Sequence, residues 1–304
     1  MSFHSTPFCL PSRIETGIRA ATEQIQMRSA TALEALKVIK DPDCDVDEFV
    51  ALAEHDLKLA TDILRMANSG IFMGSTSVRN LSQAVVRLGL ERCKNLTMAC
   101  VIMAMSEELS LEDEWIADVI RTHGIITGTI SSALNEHYKM GFDGEEFAIG
   151  LMHDVGRLLL AFACGKEYLK IDPMTFNNEM EQIRLEREHF HTGHDECGAW
   201  FAHANNFPES LVETVRYHHS PEKMSERNLA TCLLALSDDL ANHFQRTNSF
   251  SEFTPSYLSR IVLEKPFCPF TLEHLVAAIE EMETEITEEV YSWTIDRPRH
   301  SNRK

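Results

Sequence analysis

The sequence predicts an all-α protein. Three observations carry this: apolar residues recur at i, i+3, i+4 and i+7 along most of the chain, strict alternation is nearly absent, and glycine (13) and proline (10) are scarce in 304 residues. With 44% hydrophobic and 25% charged residues, a chain of this length can bury a sizeable core in one or two domains.

From the N-terminus, residues 14 to 110 read as a series of short helices. Asp45 with Glu48 makes a capping box for DEFVALAEH, and Asn80 with Gln83 makes another for LSQAVVRL, with Gly89 at its stop. SGIFMGSTSVRN is the loop between them, where Asn68 and Ser69 can cap and Gly70 can take positive φ. Cys93 and Cys100, seven apart, fit a small-residue packing seam. A boundary is placed near 108 to 112, at the acidic ELSLEDE. The pattern resumes in WIADVIRTHGIITGTISSAL and continues through the apolar run FAIGLMHDVGRLLLAFA, ECGAWFAHANNF, SLVETVRYHH and NLATCLLALSDDLANHF. The division is therefore 1–110, 111–248 and a C-terminal extension, 249–304. That extension carries one long helix with apolar residues at 275, 276, 279, 282 and 286, its glutamates forming the solvated face, and ends in a frayed tail, DRPRHSNRK.

Acidic residues outnumber basic ones by 47 to 28, for a net charge of -19, and such a field repels polyanions, which argues against nucleic-acid binding. The opening MSFHSTPFCLPSR lacks the charged and apolar regions of a secretory signal, and no uncharged apolar run approaches a membrane span. A cytoplasmic protein without membrane contact is expected. Its eight cysteines include no CxxC, so they read as reduced, small, buried residues.

The stretch GLMHDVGRLLL carries the chemistry. HD dipeptides occur at 55, 153 and 194, so the letters alone mean little. His153 and Asp154 differ in their setting, because a carboxylate in an apolar run costs several kcal/mol unless it is paired, hydrogen-bonded or bound to a cation. Two ligands do not hold a metal. Others are available in His123, in His194 at the start of GHDECGAWFA, in His218 and His219 at the end of SLVETVRYHH, and in Asp238, which shares a helical face with Leu234 and Ala241. An internal polar pair that fixes helix packing is the other reading of His153 and Asp154.

The ordered set H, HD, H, HH, D resembles that of the HD superfamily of metal-dependent phosphohydrolases. More narrowly, HDLKLATDILRMANSGIF, VRNLSQAVVRLGLERCKNLTMA, FAIGLMHDVGRLLL, GHDECGAWFAHANNFPESLVETVRYHHSPE and LALSDDLA resemble the HDOD family of bacterial signalling proteins over roughly residues 15 to 245. ANS at 67 to 69 with RLGL at 87 to 90 is the more diagnostic part. The resemblance implies an N-terminal helical subdomain packed on an HD-like helical core, and a role in signal transduction through a protein partner or small ligand without strong catalysis. It implies His123, His153, Asp154 and Asp238 as ligands of one divalent metal (Mn, Fe, Ni or Mg), with His194, His218 and His219 matching the extra histidines of binuclear members. The alternative is a metal-dependent phosphohydrolase acting on a nucleotide or phosphodiester, with Asp154 at the reacting centre and Arg157 contacting phosphate. Two departures stand out: Arg157 replaces a common lysine, and no GYP follows HHSPE, which argues against cyclic di-GMP hydrolysis in the manner of the HD-GYP family.

Overall fold

The computed structural model describes residues 8–28, 38–39, 41, 43–72, 77–107, 109, 111–223, 228–264 and 268–295. The chain is 75% helical, and no strand occurs among the described residues. The tail at 296–304 lies outside them.

The helices, in order, are α1 (Ser12–Arg28), α2 (Val46–Glu54), α3 (Leu57–Ala67), α4 (Leu81–Leu88), α5 (Leu90–Glu107), α6 (Trp115–Tyr138), α7 (Glu145–Met152), α8 (Val155–Cys164), α9 (Lys166–Ile171), α10 (Glu179–Phe190), α11 (His194–Ala204), α12 (Glu209–Tyr217), α13 (Leu229–Thr247), α14 (Tyr257–Leu263) and α15 (Leu272–Ile295). α1 buries the stripe Ile14, Ile18, Ala21 and Ile25 against α8. Asp45 and Asn80 cap α2 and α4 as expected, and Gly89 ends α4 at φ 86.

The ANS and RLGL stretches are joined. Asn68 clamps the loop by accepting from Val78 N and donating to Val78 O, while Arg87 donates to Ala67 O. Gly70 departs from expectation: it does not take positive φ but opens a 3-10 turn, Gly70–Phe72. Its missing side chain instead admits Glu285 of α15, whose Cγ would lie 2.9 Å from a Cβ there.

α6 is the central pillar, flanked by α7, α13 and α15. Gly124 and Gly128 on α6 face Gly150 on α7, where an added Cβ would meet Gly128 Cα at 2.5 Å. This glycine seam brings the two backbones together and sets His123 beside His153. The run expected as one apolar helix is broken, since α7 ends at Met152 and α8 starts at Val155, with His153 and Asp154 at the junction. The stretch Glu145–Cys164 has membrane-like length and hydropathy, but it carries four charged residues and is mostly buried inside the protein.

Six of the eight cysteines are buried, Cys93 and Cys100 among them, whereas Cys9 is exposed and Cys268 half-buried. On α15, Leu275, Ile279, Met282 and Ile286 are buried as the stripe predicts. Glu289 breaks the pattern of a solvated glutamate face: it is buried and accepts from Trp293 Nε1 at 2.9 Å.

Candidate metal centre

The proposed ligands come from two helix interiors and from helix junctions and ends. His123 comes from the middle of α6, His153 and Asp154 from the α7–α8 break, His194 from the first turn of α11, His218 and His219 from the end of α12, and Asp238 from α13. Gly156 makes this convergence possible. A Cβ there would lie 1.8 Å from His194 O and 2.8 Å from Gly198 N, so only glycine lets α11 lie directly on the start of α8. All seven side chains are at most 5% exposed.

The donors converge in two main groups, His123 with His153 and Asp238, and Asp154 with His194, His218 and His219, while Asp154 Oδ2 also faces the first. In the first, His123 Nε2 lies 2.9 Å from Asp238 Oδ1 and 3.8 Å from Asp154 Oδ2, and His153 Nε2 lies 3.5 and 3.7 Å from the same two oxygens. Ligands about 2.0–2.2 Å from one cation stand about 3 Å apart when adjacent and about 4.2 Å apart when opposite, so this spacing fits a single ion. In the second, His194 Nε2 sits 3.4 Å from Asp154 Oδ1 and 2.8 Å from His219 Nε2, with His218 alongside.

The hydrogen bonds fix which nitrogen of each ring faces inward. His153 Nδ1 meets Gly150 O at 2.8 Å and His218 Nδ1 meets Val215 O at 2.5 Å, so both place their proton on Nδ1. The Nε2 atoms of both rings are buried without a hydrogen-bond partner. His123 Nδ1 meets Gln245 Oε1 at 2.8 Å and His194 Nδ1 meets Glu186 Oε2 at 2.8 Å. A ring anchored through one nitrogen by an oxygen acceptor, with the other aimed at shared carboxylates, is the usual setting of a metal-bound histidine.

Charge follows the same geometry. Burial would push the Asp154 carboxyl up, but Arg157 and the surrounding histidines hold it well below the usual range. Asp238 is likewise held down against burial, through His123 and His153. Burial also opposes charge on His194, yet Glu186 and Asp154 outweigh it and hold the ring up at about 9. His218 is driven down to about 3 by burial, with His153 and His194 adding repulsion. His218 is thus held neutral, while His194 favours its charged form, as does His153 beside Asp154 and Asp238, and a cation would take over the role of those protons.

Arg157, the residue expected to contact phosphate, turns toward carboxylates of the protein itself. Its Nη1 donates to Asp154 Oδ2 and its Nε to Asp172 Oδ2, both at 2.8 Å, so it is a buried strut for Asp154. Several partners escaped the sequence reading. Glu186 accepts from His194 N, His194 Nδ1 and Tyr168 Oη, and Asp172 accepts from Arg157, Tyr168 and Met174 N. Glu179 stands 3.8 Å from His219 Nδ1, takes a 2.6 Å hydrogen bond from Asn242 and is pushed well up by burial beside Asp238. Finally, Phe176 stacks on His123 at 4.3 Å beneath the Arg157 guanidinium, in a loop where Phe176 and Met174 both hold positive φ.

Residues 25–221 match the HDOD domain model, 197 residues of 304. The chain belongs to the HDOD family. An uncharacterized protein of Treponema pallidum is 23% identical over 209 residues, and the match covers 69% of the HDOD chain but only 40% of that relative, so this chain spans less than half its length. Two crystal structures resemble the HDOD fold described above. A candidate phosphohydrolase from Shewanella amazonensis gives a TM-score of 0.67 at 21% identity, covering 89% of this chain and 97% of that one. An HDOD domain protein with unknown function from Geobacter sulfurreducens gives 0.67 at 20% identity, covering 91% and 98%. At these identities the likeness concerns the fold.

Proposed function

We propose that this HDOD protein is a regulatory module built around a centre for two divalent cations, acting through a small ligand or a protein partner. One observation supports this above the rest: the buried Nε2 atoms of His153 and His218 make no hydrogen bond, and His153 Nε2 stands 3.5 Å from Asp238 Oδ1, the oxygen that His123 also faces. A purely structural polar core would satisfy those atoms, because an orphaned buried nitrogen costs about 1–3 kcal/mol. His123, His153, Asp154 and Asp238 would hold one cation, and Asp154, His194, His218 and His219 the other. Mn, Fe, Ni or Mg suits such mixed nitrogen and oxygen donors. Burial of every donor, with Phe176 stacked on His123, supports the regulatory reading first, since a substrate would need access to the cations.

A second reading, a phosphohydrolase, is favoured by Asp154, whose two oxygens face separate donor groups. Bound cations would there supply Lewis-acid polarisation of a phosphoryl group. Elemental analysis of the wild type and of His153→Ala and Asp154→Ala separates these readings from a structural core. Near two equivalents of metal, lost in both variants, is the expected result. Absence of Mn, Fe, Ni and Mg from wild type, with both variants folded, would remove the metal centre and the hydrolase together. Turnover of nucleotides or phosphodiesters by the loaded wild type would move the assignment to the second reading.

A further inference from the structure

The geometry points to Glu179 as the residue that sets the ring tautomer of His219 and thereby controls occupancy of the second cation position. This rests on the two-cation reading above. His219 differs from its neighbours. His123, His153, His194 and His218 each have Nδ1 held by an oxygen within 2.8 Å, whereas His219 Nδ1 is buried with no hydrogen-bond partner. Glu179 Oε2 stands 3.8 Å from it.

A neutral imidazole has one lone pair. For His219 Nε2 to join Asp154, His194 and His218 as a donor, the ring proton must sit on Nδ1, where it needs an acceptor. Glu179 is the group placed to provide one, and a small approach of its carboxylate closes the gap. The same count excludes Glu179, His219 and Asp238 as a third cation site while the second is filled, although those three donors also converge. Once protonated on Nδ1, His219 cannot give that nitrogen to a metal.

The position of Glu179 suits this role. It is the first residue of α10, held through Oε1 by the Asn242 amide of α13 at 2.6 Å, and its side chain is 19% exposed where the seven donors are at most 5%. Glu179 is accordingly a positioning residue on the solvent side of the second group, although it also stands near Asp238 of the first.

Titration of metal-free wild type and Glu179→Ala with Mn2+, followed by calorimetry and by the paramagnetic signal of free Mn2+, tests this directly. Wild type should take up two cations in resolvable steps. In the variant the second step should weaken about 10- to 100-fold and by more than the first, the loss expected when the partner of a metal-bound histidine is removed. Glu179→Gln, which keeps an acceptor oxygen without the charge, should recover part of that loss, and also serves if the alanine variant fails to fold. Equal second steps in wild type and both variants would overturn the inference, as would equal weakening of both steps. Three cations in wild type, with the third lost in Glu179→Ala, would overturn it in favour of direct ligation. A wild type that binds fewer than two cations would instead overturn the two-cation reading itself.

Discussion

Among single residues, Gly156 is the position where the fold and the centre depend on the same missing atom. Replacing it with alanine sets a methyl group against His194 O and Gly198 N, both backbone, so α11 must move. Gly156→Ala should lose about 3 kcal/mol or more in chemical denaturation, together with metal at the His194 group. A variant as stable as wild type would contradict the close approach. Phe176→Ala tests the cover over His123: equal metal content but extraction by a chelator at least about tenfold faster is expected, and an unchanged rate would show that Phe176 is no barrier. Ligand candidates were legible at this scale because each carries its own chemistry at a recognisable place in the chain. Their partners were not, because a hydrogen bond obeys no sequence spacing. Glu186 lies in EMEQIRLEREHF, where a buried glutamate looks like its solvated neighbours, although its place on the stripe of Ile183 and Phe190 was a usable signal.

Among elements, helix identity followed from periodicity, and the misreadings arose where two elements meet. The α7–α8 run looked continuous because both halves are apolar on every side, a pattern that reports burial and says nothing about a break. α15 was read with all its glutamates solvated, yet Glu289 sits one helical turn from Trp293, on the buried side. Burial raises its carboxyl from 4.5 to about 7, with the Trp293 hydrogen bond and Arg65 opposing. A raised acid favours the folded state while it is protonated, so its contribution is full below about pH 4.5 and is lost as pH rises through about 7. Glu289→Gln keeps the acceptor oxygen and removes the ionisation. The variant should therefore gain on wild type by an amount on the order of 3 kcal/mol between pH 4.5 and pH 8, read from urea midpoints at both ends. A stability difference independent of pH would place the Glu289 carboxyl in contact with water.

For the whole molecule, the all-α architecture was fully legible, whereas the closure of the centre was not, since it depends on how a loop between α9 and α10 folds back over α6. If the core holds cations in the folded state alone, chelation must lower stability by RT ln(1 + [M]/Kd), about 2.7 kcal/mol per site at a hundredfold excess over Kd. A fall of several degrees in Tm on chelation, restored by Mn2+, is expected. No change in Tm would leave the core a polar network. One further consequence lies in the pair Asp238 and Asp239. Asp238 faces the histidines, while Asp239, about 100° round the same helix, accepts from Ser256 N at 2.6 Å and so anchors the cap of α14. α13 is thus a shaft with a tooth on either side: if a cation draws Asp238 inward by turning α13, the start of α14 should swing through the same angle, which would convert occupancy of the core into displacement at the surface.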